Sequence, residues 1–397
     1  MSGRVLHVVT ALGVGGAEVW LLELLRHTRR LEEAGVAVEE MDILMTGGLP
    51  AALDAEAASL GATLHYVPFG RSRFVSFAKE FRKILETRSF TVLHDHQGYS
   101  SVWHFLAGVG SLPPVRIVHV HNAVAALRAN TDTLTRKVLF EAGKPLLRRM
   151  ATHILGTSQQ LLDEYELTAA QFPDQEIRAL HCGFDVEPFA MSEAAANSSV
   201  CEEFAWPDRS RICVFAGRLD AVDPADPTRN LKNPAFALDV VRDAIGKGTD
   251  VRLIVAGDGE AVRRKLERRV QDWGLSDRIR LVGTRRDMPR LMRASRVCLF
   301  PSLQEGLGMA AVEAQAAGLH VLASDTVPRA VAVIDELVTF LPLEAGPSKW
   351  AAVLSALLDR PRHDGAAARE AVRNSAFSIE NSYAALHSIY SAPDHSR

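Results

Sequence analysis

Short runs of β-branched and apolar residues alternate along this chain with longer stretches whose apolar positions recur every three or four residues. The runs predict strands at residues 4–10, 36–44, 63–67, 91–93, 116–120, 153–156 and 177–180. A second series follows at 211–216, 251–256, 280–282, 296–300 and 320–323. Helical stretches between them predict parallel sheets covered on both faces. Such sheets bind ligands beyond the carboxyl ends of their strands. The chain closes with an amphipathic helix predicted from Phe377 through Tyr390.

Length sharpens this into two domains, because 397 residues supply a core for each. Residues 190–208 are rich in Ala, Ser and Asn without strong periodicity, so a linker is expected at 191–208. The expected layout is a first domain over 1–190, a second over 209–375, and a closing helix over 376–397. Apolar residues make up 47% and charged residues 23%, with a formal charge of −3, which points away from nucleic acid as a partner. No apolar run approaches the ~18 residues of a membrane helix. The N-terminal stretch from Met1 to Val9 is short and interrupted by His7, unlike a signal peptide. Cys182, Cys201, Cys213 and Cys298 are scattered and read as reduced residues of a cytoplasmic protein.

Candidate chemistry gathers after predicted strands. Glu305-Gly-Leu-Gly-Met-Ala-Ala-Val-Glu313 follows a buried run and opens a helix, giving strand, glycine turn and helix. Amides freed by Gly306 and Gly308 would face an anion at the helix N-terminus. Glu313, about two turns along, suits a hydroxyl-rich extension such as a ribose. An acid-decorated helix start would equally favour the macrodipole. The first strand leads into Leu12-Gly-Val-Gly-Gly-Ala-Glu18, another glycine turn before a helix, with phosphate binding and a simple tight turn both open. Two histidine pairs, His94-Asp-His96 and His119-Val-His121, end predicted strands, and their spacing places each pair on one face. A zinc site, buried structural histidines and a polar active-site floor are the three readings. Between Arg71 and Arg149 there are 13 Lys or Arg against 5 Asp or Glu, with Phe74, Phe77 and Phe81 at helical spacing. That face suits either peripheral contact with an anionic membrane or a phenylalanine stripe packed into the core beneath solvated charges.

The two glutamates, with seven residues between them, and Glu313-Ala-Gln-Ala-Ala-Gly318 resemble the signature of retaining glycosyltransferases of family 4. The resemblance implies a GT-B fold of two Rossmann-like doubly wound domains facing across a cleft, the last helix crossing back to the first domain. The first domain would bind the acceptor and the second the donor. Residues 181–189 look like the family's closing Gly-x-Asp turn, with Cys182 where asparagine is more usual. By resemblance, Glu305 contacts the donor sugar, Glu313 the ribose, and His121 the sugar near the reacting carbon. Gly15 and Gly16 would face the donor phosphates, joined by the amides of Gly306, Leu307, Gly308 and Met309. Arg218, in Gly217-Arg-Leu219, and Lys232, in Asn230-Leu-Lys-Asn-Pro234, resemble the cations that clamp the diphosphate. Residues 220–229 look like an insertion, which makes Arg229 the rival to Lys232. The region of Arg285 would hold the nucleotide base, largely through backbone.

The implied reaction is retaining transfer of a hexose from a nucleoside-diphosphate sugar to a glycan or lipid-linked acceptor, in polysaccharide assembly at the inner face of the membrane. No Asp-x-Asp motif occurs, so no metal is expected and the cations would take its place. A GT-B phosphorylase and a non-catalytic sugar-binding subunit are the alternatives.

Overall fold

The computed structural model describes residues 3–122, 134–219, 230–257 and 259–391, with only the backbone of 134–140. The chain divides into two compact units, Met1–Phe184 with Ala376–Arg397, and Asp185–Ser375.

The first unit alternates strand and helix: β1 (Arg4–Val9), α1 (Gly16–Glu33), β2 (Glu40–Met45), α2 (Asp54–Ser59), β3 (Thr63–Tyr66) and α3 (Phe74–Arg88). It continues with β4 (Val92–Asp95), α4 (Ser101–Ala107), β5 (Val115–Val120), α5 (Leu134–Met150), β6 (His153–Gly156), α6 (Gln159–Glu164) and β7 (Glu176–Ala179). The strands pair in parallel in the order β3-β2-β1-β4-β5-β6-β7. Side chains alternate along each strand, so Leu6, Val8, Leu93, Val118 and Val120 pack together into one apolar core with Phe77 and Phe81 of α3 and Phe105 of α4. The other face of β1, β4 and β5 carries His7, His94 and His119, because His7 pairs in register with His94 and His94 with Ile117.

The second unit begins with α7 (Glu193–Phe204), β8 (Ile212–Ala216), α8 (Pro234–Gly246), β9 (Arg252–Ala256), α9 (Glu260–Asp272) and β10 (Ile279–Gly283). Next come α10 (Met288–Ala294), β11 (Val297–Phe300), α11 (Met309–Ala316), β12 (His320–Ser324), β13 (Val338–Leu341), α12 (Gly346–Asp359) and α13 (Gly365–Arg373). Its parallel sheet has the order β10-β9-β8-β11-β12-β13. Phe215, Leu253, Val255 and Leu299 pack with Leu238 and Val241 of α8 and Trp350 and Leu354 of α12.

Strand order reverses between β1 and β4 in one sheet and between β8 and β11 in the other. At such switch points the loops diverge and leave a crevice. The closing helix, α14 (Ile379–Tyr390), lies in the first unit and packs on α1.

One expectation needs correction. The linker expected at 191–208 contains α7, capped by the Ser192 hydroxyl, with Ala196, Val200 and Cys201 buried. Small buried residues left no wide apolar stripe to read. Of the two readings of the phenylalanine stripe, packing into the core is the one realised, since Phe77 and Phe81 of α3 are fully buried. β13 escaped the strand prediction because it is a short edge strand, half-buried throughout. Among the described residues no helix is long and apolar enough to cross a membrane.

Candidate active site

The second unit's switch point brings several predicted residues together. Asn230, buried after β8, donates its side-chain amide to the Arg218 carbonyl (3.1 Å) and accepts the Lys232 amide (2.7 Å). One side chain thus fixes the backbone carrying both expected cations. The Lys232 stem lies against Gly217, where a Cβ would stand 3.1 Å from its Cγ. Its ammonium forms an ion pair with Glu305. The other Glu305 oxygen accepts from the Ser302 hydroxyl at 2.6 Å. The Ser302 carbonyl in turn accepts from Ser324 (2.5 Å) and Thr326 (2.7 Å). Glu305 is therefore a buried carboxylate held on one oxygen by Lys232 and on the other by Ser302, which the loop after β12 fixes in turn.

Gly308 caps α11 with φ +102°, a conformation that favours glycine, and a Cβ there would lie 3.0 Å from the Phe300 ring. The turn consequently needs glycine twice over, for its dihedral and for its neighbour. Gly306, Leu307 and Gly308 are buried, while Met309, Ala310 and Glu313 are the partly exposed positions of α11. An anion at this N-terminus would meet first-turn amides, with Glu313 one turn further on the same side.

Gly257, Glu260, Arg263 and residues 281–284 line an open groove of about 370 Å³. Arg285 instead makes paired hydrogen bonds to Asp287 (both 2.8 Å) and contacts Glu203 of α7 at 2.6 Å. These guanidinium contacts hold the Asp287 carboxyl well below the usual carboxylate range. Arg285 thus joins α7 to the start of α10, an ion-pair role not legible from local sequence. Arg229, the alternative to Lys232, lies outside the described residues, as does the rest of the insertion at 220–229.

In the first unit all four expected histidines converge, joined by His7. His7 Nδ1 lies 3.0 Å from His96 Nε2, and His96 Nδ1 lies 2.9 Å from His121 Nε2. His94 Nε2 meets His119 Nδ1 at 3.1 Å, and its Nδ1 meets the Tyr390 hydroxyl of α14 at 2.8 Å. Trp20 of α1 presents its ring to His94, His96, His119 and His121. Burial pushes the His7 and His121 rings down to about 3, and His94, His96 and His119 well below the ordinary 6.5. The array is neutral. His7 was missed because it sits mid-strand in β1, and only the pairing of β1 with β4 brings it to the others.

Two overlapping triads, His7 with His94 and His96, and His96 with His119 and His121, have ring nitrogens within 4.8 Å of one another. Zinc–nitrogen bonds of about 2.05 Å would set tetrahedral ligands roughly 3.3 Å apart. The three observed contacts of 2.9–3.1 Å are instead hydrogen-bond lengths.

Gly15 caps α1 in an extended conformation, and a Cβ there would lie 2.2 Å from Glu18 Oε2. The Glu18 carboxylate therefore rests at the helix start expected for donor phosphates. Gly16 is exposed, with open space where a Cβ would be.

Comparison with known proteins places two family models on the chain. One described as Glycosyltransferase Family 4 matches residues 14–188, and one described as Glycosyl transferases group 1 matches 210–360. The putative glycosyltransferase EpsF of Bacillus subtilis is 28% identical over 99% of this chain and 98% of its own. The capsular polysaccharide biosynthesis glycosyltransferase CapH of Staphylococcus aureus is 23% identical, covering 91% of this chain and 92% of its own. The crystal structure of Anabaena Alr3699/HepE in complex with UDP-glucose superposes with a TM-score of 0.72 at 15% identity, over 97% of this chain and 100% of that one.

Proposed function

The chain belongs to glycosyltransferase family 4 with a GT-B fold, and we propose that it moves a hexose from a nucleoside-diphosphate sugar to a glycan or lipid-linked acceptor during polysaccharide assembly. The family is retaining, so the product keeps the anomeric configuration of the donor. The observation that carries this reading is the switch point of the second sheet. There Lys232, fixed by Asn230 beside the backbone of Arg218, meets the buried carboxylate of Glu305 at the head of α11.

In this reading the diphosphate lies at the α11 N-terminus, and Arg218 and Lys232 stabilise the charge it gains on departure. Glu305 accepts from the donor sugar, Glu313 from the ribose, and His121 meets the sugar near the reacting carbon. The leaving phosphate helps remove the acceptor proton from the same face. A uridine nucleotide is the first donor to test, because the HepE neighbour was solved with UDP-glucose. CapH, named for capsular polysaccharide biosynthesis and matched along 92% of its own length, supports a role in glycan assembly. The exposed Arg71, Arg73, Lys79 and Lys83 on and before α3 would favour approach to an anionic surface.

A thermal-shift screen of nucleotide sugars, followed by transfer assays with the stabilising donor, tests the proposal. A true donor raises the melting temperature, and Glu305→Ala loses turnover. Failure of every nucleotide sugar to stabilise the protein, or full turnover in that variant, rejects the reading. Phosphate-dependent breakdown of an oligosaccharide would make it a phosphorylase.

A further inference from the structure

Three of these imidazoles, His7 and His96 buried and His121 half-buried, form a continuous chain with a dictated polarity. Each neutral ring carries a single N–H, so the middle ring, His96, can donate to only one neighbour and must accept from the other. With its proton on Nδ1, His96 donates to His121 Nε2 and accepts from His7 Nδ1–H. With its proton on Nε2, both bonds reverse, and the His7 proton moves to Nε2. Among the described residues, that buried atom has no hydrogen-bond partner. A buried N–H without an acceptor is rarer and costlier than a lone pair without a donor. The first arrangement is therefore preferred. It leaves one N–H free of the chain, at His121 Nδ1, facing the thiol sulfur of Cys182 at 3.9 Å. Sulfur is a weak acceptor, which a ligand oxygen can displace.

We propose that His96 is a positioning residue that holds His121 as the Nδ1–H tautomer, so that this ring offers a donor, and not a lone pair, to an oxygen of the bound sugar nucleotide. The ligand half rests on the transferase reading above, whereas the tautomer is a property of the free protein. His7 supports His96 from the far end of the chain, and burial keeps a second proton off all three rings.

The test is nitrogen NMR of ligand-free protein labelled with ¹⁵N in histidine. Long-range ¹H–¹⁵N spectra distinguish the two tautomers, and His121 is assigned by its loss in His121→Asn. Wild-type His121 should show the Nδ1–H pattern, and an Nε2–H pattern overturns the proposal without any variant. His96→Leu should release His121 toward the other tautomer. With the donor found by thermal shift, its kcat should fall on the order of tenfold at little changed KM. His96→Gln, whose amide N–H can reach Nε2, should restore the tautomer and much of the rate. An unchanged His121 pattern in His96→Leu overturns the role of His96. Full activity in His121→Asn alongside the expected tautomer refutes the ligand half and leaves the positioning supported.

Discussion

Glu305 and Glu313 stand eight positions apart on one loop and helix, yet the structure gives them different surroundings. Glu305 is buried and held by Lys232 and Ser302, whereas Glu313 is partly exposed along α11. Glu305→Ala should therefore lower kcat by about 10²–10³, because a positioned group at developing charge is lost. Glu313→Ala should mainly raise KM for the donor; steady-state kinetics showing the reverse would exchange their roles. Arg218→Glu should abolish turnover while leaving the melting curve near wild type, and near-native turnover in the folded variant would remove Arg218 from the site. These residues were legible because a short motif carries them. Asn230, Ser302, Ser324 and Thr326, which hold them, were not, since common polar residues acquire that meaning only through their partners.

At the scale of elements, α14 shows how a helix distant in sequence completes the first unit. Ser382 accepts from Trp20 Nε1 (3.1 Å) and from the Gly183 amide (3.2 Å), and donates to the His181 carbonyl (2.8 Å). Its hydroxyl thus joins α1, the end of the β7 loop and α14 at a fully buried point. Ser382→Ala would leave two buried donors unsatisfied, at a cost of about 1–3 kcal/mol each. A clear fall in melting temperature is expected, and an unchanged melting curve would show that α14 is held by apolar packing alone. The sequence signalled this helix by its periodicity, but α7 was masked by small residues. The partners of Ser382 lie up to 362 positions away, beyond any local pattern.

For the molecule as a whole, the buried histidines link stability to pH. Burial lowers the proton affinity of His7, His94, His96 and His119 in the folded state, against an ordinary value of 6.5. The unfolded chain consequently binds more protons as pH falls below about 6.5, and stability falls with it. For His7 the loss continues down to about pH 3, where the folded ring would also protonate. Each such histidine costs about 1.4 kcal/mol per pH unit inside this window. Unfolding followed from pH 8 to pH 5 should show a plateau above neutrality and a steep decline below pH 6. A flat profile would mean that these rings are solvated or metal-bound, a distinction settled by elemental analysis of the purified protein.

Periodicity alone was enough to predict parallel sheets, because side-chain direction in strands and helices is a local property that repeats with fixed spacing. The motif at Glu305–Glu313 and the histidine pairs at the ends of β4 and β5 were equally visible, since strand ends are where such sheets carry ligands. Tertiary structure decided the rest. It placed the phenylalanines of α3 in the core, engaged Arg285 with Asp287 and Glu203, and set Lys232 on Glu305. It also joined His7 to a pair 87 and 89 residues away by laying β1 beside β4. The physical reason is range: dihedral preference and side-chain alternation act over a few residues, whereas a hydrogen bond or ion pair depends on which strands become neighbours.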